Sequence, residues 1–249
     1  MANRPLEGKV VLVTGGARRI GRQIALTLAE AGADVSITYR QSKSEAAQTV
    51  DALAALGAGA LAVECDVRSE EQVRAAVTAV ATSFGRLDVL VNNAAVFSTE
   101  PLESLSLDAW DAVFAANTRG PFLAAREALP HLRASGGRIV NIGSLGGLRA
   151  WAKHAHYSAS KAALHSLTQA MAKAFAPAVS VNCVAPGWIA MEDGARGDLA
   201  AAAARFAART PMKRNGSAQD VAQSVLFFAA GPHFITGQIL AVDGGLSLM

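Results

Sequence analysis

The chain has 249 residues, of which 51% are hydrophobic and 17% are charged. This balance supplies enough apolar surface for one large core and argues against an intrinsically disordered protein. The net charge is only +3, and the basic residues are scattered rather than gathered in a stripe, which argues against a nucleic-acid-binding protein.

Targeting and redox signals are sparse. The first eight residues lead directly into a strand-like segment, so no signal peptide is predicted. The longest stretch without Asp, Glu, Lys or Arg, residues 221–242, is interrupted by Gly231 and Pro232, so no membrane span is expected there. Cys65 and Cys183 are each isolated in apolar segments, and we expect two buried free thiols rather than a disulfide or a metal site. These features predict a cytoplasmic protein.

Apolar runs of strand length alternate with segments of helical period. We predict seven strands, at residues 9–14, 34–39, 60–67, 88–92, 138–142, 179–184 and 238–242. Ile20, Ile24 and Leu28 recur at the spacing of one helix face. Several strands are almost continuously apolar, which is typical of a sheet covered by helices on both faces. The prediction is an α/β fold: one domain, residues 1–249, with a Rossmann-type doubly wound parallel sheet of about seven strands.

Helix-start signals complete this picture. Ser69 with Gln72 is predicted to form a capping box, and Ser217 with Asp220 resembles a second helix start. The alanine-rich residues 199–208 are predicted to form a small amphipathic helix on the surface. No linker, repeat or low-complexity tail indicates a second domain.

A glycine-rich turn joins the first predicted strand to the first predicted helix at residues 14–21, Thr-Gly-Gly-Ala-Arg-Arg-Ile-Gly. Glycine is needed where a backbone approaches a phosphate or adopts positive φ, and the free N–H groups of a helix N-terminus bind anions. We therefore predict a nucleotide site here; the alternative is an ordinary strand–helix turn. The predicted site residues are Gly15, Arg18, Arg19, Ile20 and Gly21.

The end of the second strand indicates which nucleotide binds. NAD sites commonly carry an acidic residue there for the ribose 2′-hydroxyl, whereas this segment, residues 38–42, reads Thr-Tyr-Arg-Gln-Ser. A guanidinium matches a 2′-phosphate with two hydrogen bonds, and a carboxylate would repel it. We therefore predict NADP, held by Arg40 and Ser42, with Arg18 as a second cation. The alternative for Arg40 is a solvated loop charge.

Tyr157 and Lys161 lie four residues apart near the start of a helical segment, and so on one helix face. A phenol, with an ordinary pKa of about 10, is a poor acid–base catalyst at neutral pH. A nearby ammonium and the positive nicotinamide of oxidised cofactor are expected to lower that pKa. Tyr157 would then protonate a substrate oxygen as hydride reaches carbon, while Ser144, after the fifth strand, holds the same oxygen.

Together these motifs resemble the short-chain dehydrogenase/reductase family over essentially the whole chain. The matching pieces are residues 14–21, 66–67, 92–95, 117, 141–144, 157–161, 186–187, 235–238 and 242–245. The resemblance implies a catalytic tetrad of Asn117, Ser144, Tyr157 and Lys161, in which Asn117 helps to hold a water for a proton relay. It further implies cofactor contacts from Asp66 and Val67 at the adenine, from Ile189 at the carboxamide, and from Asn93, Ala94, Tyr157, Lys161, Pro186 and Gly187.

Two positions depart from the family pattern. Arg19 stands where the middle glycine of the first turn is usual, a variation shared with pteridine reductases, and its side chain is expected to point outward or toward a phosphate. Met191 stands where threonine is common, which removes one hydroxyl contact to the cofactor. Neither change touches the proton-transfer residues.

The resemblance leaves two substrate classes open. Arg18, Arg19, Arg40 and Phe97 are similar to residues of pteridine reductases, in which an aromatic at the position of Phe97 stacks on the pterin; the alternative for Phe97 is core packing. Ser144 stands where that group commonly has aspartate, and a hydroxyl suits a carbonyl better than a ring nitrogen. The C-terminal half also resembles 3-oxoacyl-carrier-protein reductases. Carbonyl reduction is therefore the first expectation and dihydropterin reduction the alternative.

Further expectations concern the surroundings of the site. An acidic carrier protein would need a basic patch, for which Lys173 and Arg126 are candidates, although such cations are usually just solvated. Residues 190–210 are expected to form a substrate-covering lid. Four residues are expected to border the pocket: Trp151, His154, Trp188 and Met191.

Two expectations concern the protein as a whole. A non-catalytic nucleotide-binding regulator is a further alternative, but such a protein has little need for four catalytic groups. The apolar segment 235–248, which a monomer would leave partly exposed, and the family resemblance predict a homotetramer. A small molecule is the expected substrate.

Overall fold

One parallel sheet of seven strands forms the centre of the computed structural model, which describes residues 4–190 and 198–249. The strands are β1 (Val10–Val13), β2 (Asp34–Tyr39), β3 (Ala60–Glu64), β4 (Val89–Asn92), β5 (Arg138–Ile142), β6 (Ser180–Pro186) and β7 (Ile239–Val242). Each lies where a strand was predicted, and the α/β fold class is confirmed. The prediction extended β3 to residue 67, but the strand ends earlier because Asp66 turns away to bond Gln72 and Arg68.

The strand order is β3-β2-β1-β4-β5-β6-β7. β1 pairs with β2 on one side and with β4 on the other, so the direction of the chain connections reverses at β1. In an open parallel sheet this reversal leaves a crevice at the carboxyl ends of the strands. The fold therefore brings the loops after β1, β2, β3 and β4 to one edge of the sheet.

Helices cover both faces of the sheet. In the described residues they are α1 (Arg19–Glu30), α2 (Lys43–Ala55), α3 (Glu70–Phe84), α4 (Leu107–Phe114), α5 (Gly120–Ser135), α6 (Ala155–Phe175), α7 (Asp198–Arg209) and α8 (Ala218–Ala230). One core cluster joins α1, α2 and α8 to the sheet and includes Ile24 and Leu28, as their spacing predicted. A second cluster joins α3, α5 and α6 to the opposite face. Cys65 and Cys183 are free and buried, as predicted.

The helix caps differ from the prediction. The Ser69 side chain accepts a hydrogen bond from the Gln72 backbone N–H, but the Gln72 side chain bonds the N–H of Asp66 instead of that of Ser69, so the predicted capping box is not formed. The reciprocal box is found at α8, where Ser217 and Asp220 exchange both bonds. Gln72 is therefore used to fix the chain at the end of β3, beside the crevice.

The expected lid is described in part. Met191 lies outside the described residues, as do residues 192–197 of the segment. The alanine-rich part forms α7, whose Phe206 ring stacks on Trp188 with 4.4 Å between ring centroids. No helix in the described part of the chain is long and apolar enough to cross a membrane.

Candidate active site

The glycine-rich turn after β1 is built for close backbone approach. Gly15 has φ +64°, in the left-handed region that favours glycine. A side chain on Gly21 would overlap the carbonyl oxygen of Gly15 and the amide of Asn93. Asn93 locks the turn, because its amide donates to the carbonyl oxygens of Thr14 and Gly15, both at 2.9 Å. The turn and the loop after β4 therefore form one rigid cradle.

Arg19, which replaces the usual glycine, keeps a left-handed backbone with φ +54°. A non-glycine residue in this conformation costs about 1–2 kcal/mol. Its side chain is exposed, and so is that of Arg18, which precedes the first turn of α1. The departure from the family pattern therefore leaves the turn in the glycine conformation and adds a cation beside the free N–H groups of the helix.

A groove of about 440 Å³ runs from this turn, past the ends of β2 and β3, to Tyr157. It is lined by most of the predicted cofactor residues: Gly15, Arg18, Arg19, Ile20, Gly21, Arg40, Ser42, Asp66, Val67, Asn93, Ala94 and Tyr157. The sequence interpretation missed Thr38, whose hydroxyl accepts a hydrogen bond from the Gly15 N–H at 3.1 Å. A threonine at the end of a strand is too common a feature to have identified it.

The mouth of this groove is cationic. Arg18, Arg19 and Arg40 are exposed, and among the described residues none of them forms an ion pair with a carboxylate. Among the described residues that line the groove, the only acidic one is Asp66, which is bound by two nitrogens of Arg68, with Nε 2.9 Å from Oδ1. This bond, aided by the charge of Arg40, holds the pKa of Asp66 below its usual range. Arg68, which the sequence interpretation also missed, therefore neutralises the carboxylate expected at the adenine.

The remaining cofactor predictions lie outside the groove. Pro186 ends β6, and the N–H of Gly187 donates to the carbonyl of Val242 at 3.0 Å. Ile189 is half-buried and pairs with Gly216 in an isolated bridge. These residues lie at the same carboxyl edge of the sheet, beyond β5, and their contact with the nicotinamide end stays a prediction.

Lys161 is buried beneath Tyr157. Its ammonium donates to the carbonyl oxygen of Ile142, the last residue of β5, at 2.7 Å, and only 3% of the residue is exposed. Burial lowers the pKa of Lys161 to about 8. The ammonium lies 5.9 Å from the centre of the Tyr157 ring. The predicted pair therefore exists, with the lysine anchored to the sheet.

Burial raises the pKa of Tyr157, and the hydroxyl of Ser144 opposes part of that rise. This direction is opposite to the one predicted from the sequence. The physical reason is that the protein buries the phenol while the Lys161 ammonium is directed to the Ile142 carbonyl. Ser144 itself is 5% exposed, and its Oγ accepts the N–H of Gly146 at 3.0 Å. The protein groups alone therefore keep Tyr157 in its protonated form.

Asn117 lies in a π-helical turn, Ala115–Arg119, between α4 and α5. Its side-chain oxygen accepts the N–H of Val96 at 2.8 Å, and its amide donates to Val96 O at 2.9 Å and to Ser160 Oγ at 3.0 Å. Each polar atom of the side chain therefore already has a partner within the protein, and the contact of Asn117 with a water stays a prediction. The backbone carbonyl of Asn117 is the better candidate, because Pro121, four residues on, has no N–H to donate.

Phe97 follows the loop after β4 and is 58% exposed, so the core-packing alternative for this residue is wrong. Its ring stacks on His154 at 4.6 Å and meets the Tyr157 ring edge-on at 4.8 Å. The ring of Trp151 meets that of His154 edge-on, with 5.9 Å between the ring centroids. These aromatic rings form one wall beside the ring of Tyr157.

The two candidate docking cations differ. Arg126 bonds Glu70 at 2.7 Å and Glu127 at 3.0 Å, so its charge is already compensated by the protein. Lys173 is exposed on α6. A basic docking patch built on both residues is therefore not present.

Comparison with known proteins agrees with this geometry. A family model described as enoyl-(acyl carrier protein) reductase matches residues 15–247. The 3-oxoacyl-[acyl-carrier-protein] reductase of Staphylococcus aureus is 37% identical over 243 residues, which cover 96% of this chain and 98% of that protein.

Solved structures extend the comparison. A short-chain dehydrogenase/reductase from Serratia marcescens is 38% identical, with a TM-score of 0.91 and coverage of 98% of this chain and 99% of that one. A short-chain dehydrogenase from Burkholderia cenocepacia, in complex with NADP, is 42% identical, with a TM-score of 0.90 and the same coverage. The chain therefore belongs to the short-chain dehydrogenase/reductase family of oxidoreductases.

Proposed function

We propose that the protein is an NADP-dependent reductase that converts a ketone or 3-oxoacyl group to an alcohol. The observation that carries the proposal is the meeting of Ser144, Tyr157 and Lys161 at the inner end of a dinucleotide-sized groove. The similar Staphylococcus protein is named as a 3-oxoacyl reductase, and the similar Burkholderia protein was solved with NADP.

The groove fits a phosphorylated dinucleotide. The cradle at Gly15 and Gly21 leaves no room for side chains, which is the requirement for a backbone that faces a pyrophosphate. Arg18 and Arg40 are exposed cations that would face a 2′-phosphate, and Asp66, the acidic residue among the described lining of the groove, is compensated by Arg68. When bound, NADPH supplies the hydride that adds to the substrate carbon.

The residues of the chain supply the proton and the positive charge that the reaction needs. Tyr157 donates its hydroxyl proton to the carbonyl oxygen as carbon receives the hydride, so that a C=O bond becomes CH–OH. Ser144 donates a hydrogen bond to the same oxygen. Lys161, fixed by Ile142, stabilises the phenolate that Tyr157 becomes. A water bound to the backbone carbonyl of Asn117 would then supply a proton to the Tyr157 phenolate.

Pteridine reduction is the second candidate, and one observation favours it: the exposed face of Phe97 beside Tyr157 offers a stacking surface for a flat ring. The hydroxyl of Ser144 favours a carbonyl instead, because reduction of a C=N bond calls for an acid that protonates nitrogen.

A substrate panel tests the choice. With NADPH, we expect turnover of a β-ketoacyl thioester or a small ketone, and at least tenfold slower turnover of dihydropterin. Tyr157→Phe should lower the reduction rate by at least about 100-fold while NADPH still binds, because only the proton donor is lost. Turnover by Tyr157→Phe near the wild-type rate would show that the acid is another group. Faster turnover of dihydropterin would favour the second candidate.

Cofactor choice can be tested at Arg40. Arg40→Asp should lower kcat/KM for NADPH by about 100-fold and leave that for NADH unchanged or higher, because charge-assisted bonds to the 2′-phosphate are replaced by repulsion. Arg133→Asp makes the same charge change at an exposed site at the end of α5 and serves as the control. An equal loss with both cofactors would contradict the assignment.

The pKa of Lys161 predicts a pH profile for the free enzyme. The ammonium is present below about pH 8 and is lost above it. Tyr157 stays protonated over this range, since its pKa is raised. We therefore expect kcat/KM for reduction to be level below pH 8 and to fall about tenfold per pH unit above it. A profile that stays level to pH 10 would show that the charge on Lys161 is not required.

A homotetramer remains the proposal for the assembly. Apolar side chains in the segment 235–248 and next to it are exposed in the single chain, with Leu248 at 86% and the adjacent Phe234 at 100%. Exposed apolar surface of this kind supports the proposal where it joins into one patch, because large apolar patches mark protein–protein interfaces. Sedimentation should therefore give particles of about four chain masses, and a single species of 25.6 kDa would contradict the proposal.

A further inference from the structure

The loop after β4, residues 93–100, is joined to the segment before and at the start of α6 by a series of contacts. The N–H of Glu100 donates to the carbonyl of Lys153 at 3.1 Å. The ring of His154 donates from Nδ1 to the carbonyl oxygen of Ser98 at 2.9 Å. We call residues 93–100 the Phe97 loop, because Phe97 is the residue through which the loop meets Tyr157.

The deepest of these contacts comes from His156, the residue just before Tyr157. Its imidazole is 0% exposed, and its Nε2 lies 2.6 Å from the hydroxyl oxygen of Ser98. Its other ring nitrogen, Nδ1, is buried without a partner among the described residues. Burying an imidazole with one unpaired nitrogen is unfavourable, so a hydrophobic residue would be the simpler choice for packing alone.

We infer that His156 is a positioning residue, whose hydrogen bond to Ser98 holds the Phe97 loop, and with it the aromatic wall, against the ring of Tyr157. This inference rests on the proposed role of Tyr157 as proton donor. The two ends of the loop are fixed independently, by Asn117 at Val96 and by Lys153 at Glu100. The middle of the loop, where Phe97 packs, is bound at Ser98, whose hydroxyl bonds His156 and whose carbonyl bonds His154; His156 is the buried one of these two contacts.

The contact determines how much water reaches the phenol. Tyr157 lies between the edge contact of Phe97 on one side and the turn of Ser144 and Gly146 on the other. If the bond to Ser98 is lost, Phe97 can move away and water can solvate the phenolate. The pKa of Tyr157, which burial raises, should then fall toward its ordinary value.

The chain offers a direct measurement, because it contains only two tyrosines, Tyr39 and Tyr157. Absorbance of the ionised phenol during a pH titration, with Tyr157→Phe as the reference that reports Tyr39 alone, isolates the titration of Tyr157. We expect Ser98→Ala and His156→Leu each to lower that pKa by about one unit. The double variant should show no further shift, because both changes break the same bond.

Two variants serve as controls. His156→Gln can present a polar group near the place of Nε2 and should keep the pKa of Tyr157 close to that of the wild type. Ser180→Ala removes an unpartnered buried hydroxyl at the start of β6, away from the site, and should change nothing. Ser98→Ala leaves the buried ring in place, so it tests the bond even if His156→Leu does not fold. Lys161 and His154, the titratable groups that face the rings, are unchanged throughout.

Activity provides a second readout. Ser98→Ala should lower kcat about tenfold with an unchanged Kd for NADPH, because Ser98 does not line the groove and the glycine-rich turn is not altered. In a Tyr157→Phe background the same change should have no additional effect on the residual rate. A Tyr157 titration unaltered by Ser98→Ala and by His156→Leu would overturn the inference. Full activity of Tyr157→Phe alone would instead refute the proposed function, while the titration would still test the link between His156 and Tyr157.

Discussion

The active site depends on one buried contact, the hydrogen bond from the Lys161 ammonium to the carbonyl oxygen of Ile142. An unpaired ammonium in a protein interior costs several kcal/mol, so the charge is tolerated only because β5 ends with a carbonyl that no further strand pairing consumes. The bond fixes α6 to the carboxyl edge of the sheet. Because Tyr157 lies one turn earlier on α6, and Ser144 two residues after Ile142, the same bond aligns the proton donor with its hydroxyl partner.

In this arrangement the protein would supply the proton and the stabilising charge, and the cofactor would supply the hydride. The chain alone raises the pKa of Tyr157 and lowers that of Lys161, which keeps the tyrosine protonated and the lysine close to its titration point at neutral pH. A donor with a high pKa holds its proton until negative charge develops on the substrate oxygen. In the proposed mechanism the lysine then stabilises the phenolate by its charge, from a buried position 5.9 Å from the centre of the Tyr157 ring. Burial is the main cause of both pKa shifts, but their effects differ: the raised pKa keeps the proton on Tyr157, whereas the lowered pKa limits the charge on Lys161 to pH values below about 8.

The sequence predicted the parts of the site that follow from chain geometry. Parallel strands end at one edge, so the turn at Gly15, the cation at Arg40 and the pair of Tyr157 and Lys161 had to converge. The sequence could not predict which polar side chains form hydrogen bonds with residues outside their own motif. The side chain of Gln72 reaches Asp66 rather than Ser69, and that of Asn117 is used by Val96. The direction in which the pKa of Tyr157 shifts could not be predicted for the same reason, because it depends on which group the Lys161 ammonium bonds.

The loop after β4 shows why such choices matter for specificity. Asn117 on one helical segment and His156 on another bind neighbouring parts of the loop, and Phe97 between them forms the wall beside the proton donor. Family motifs fix the turn, the tyrosine and the lysine, whereas the wall is made by residues outside those motifs. A substrate that stacks on Phe97 would therefore be selected by the same contacts that exclude water from Tyr157. In the proposed mechanism, the packing of the Phe97 and Tyr157 rings would therefore couple proton transfer to the choice of substrate.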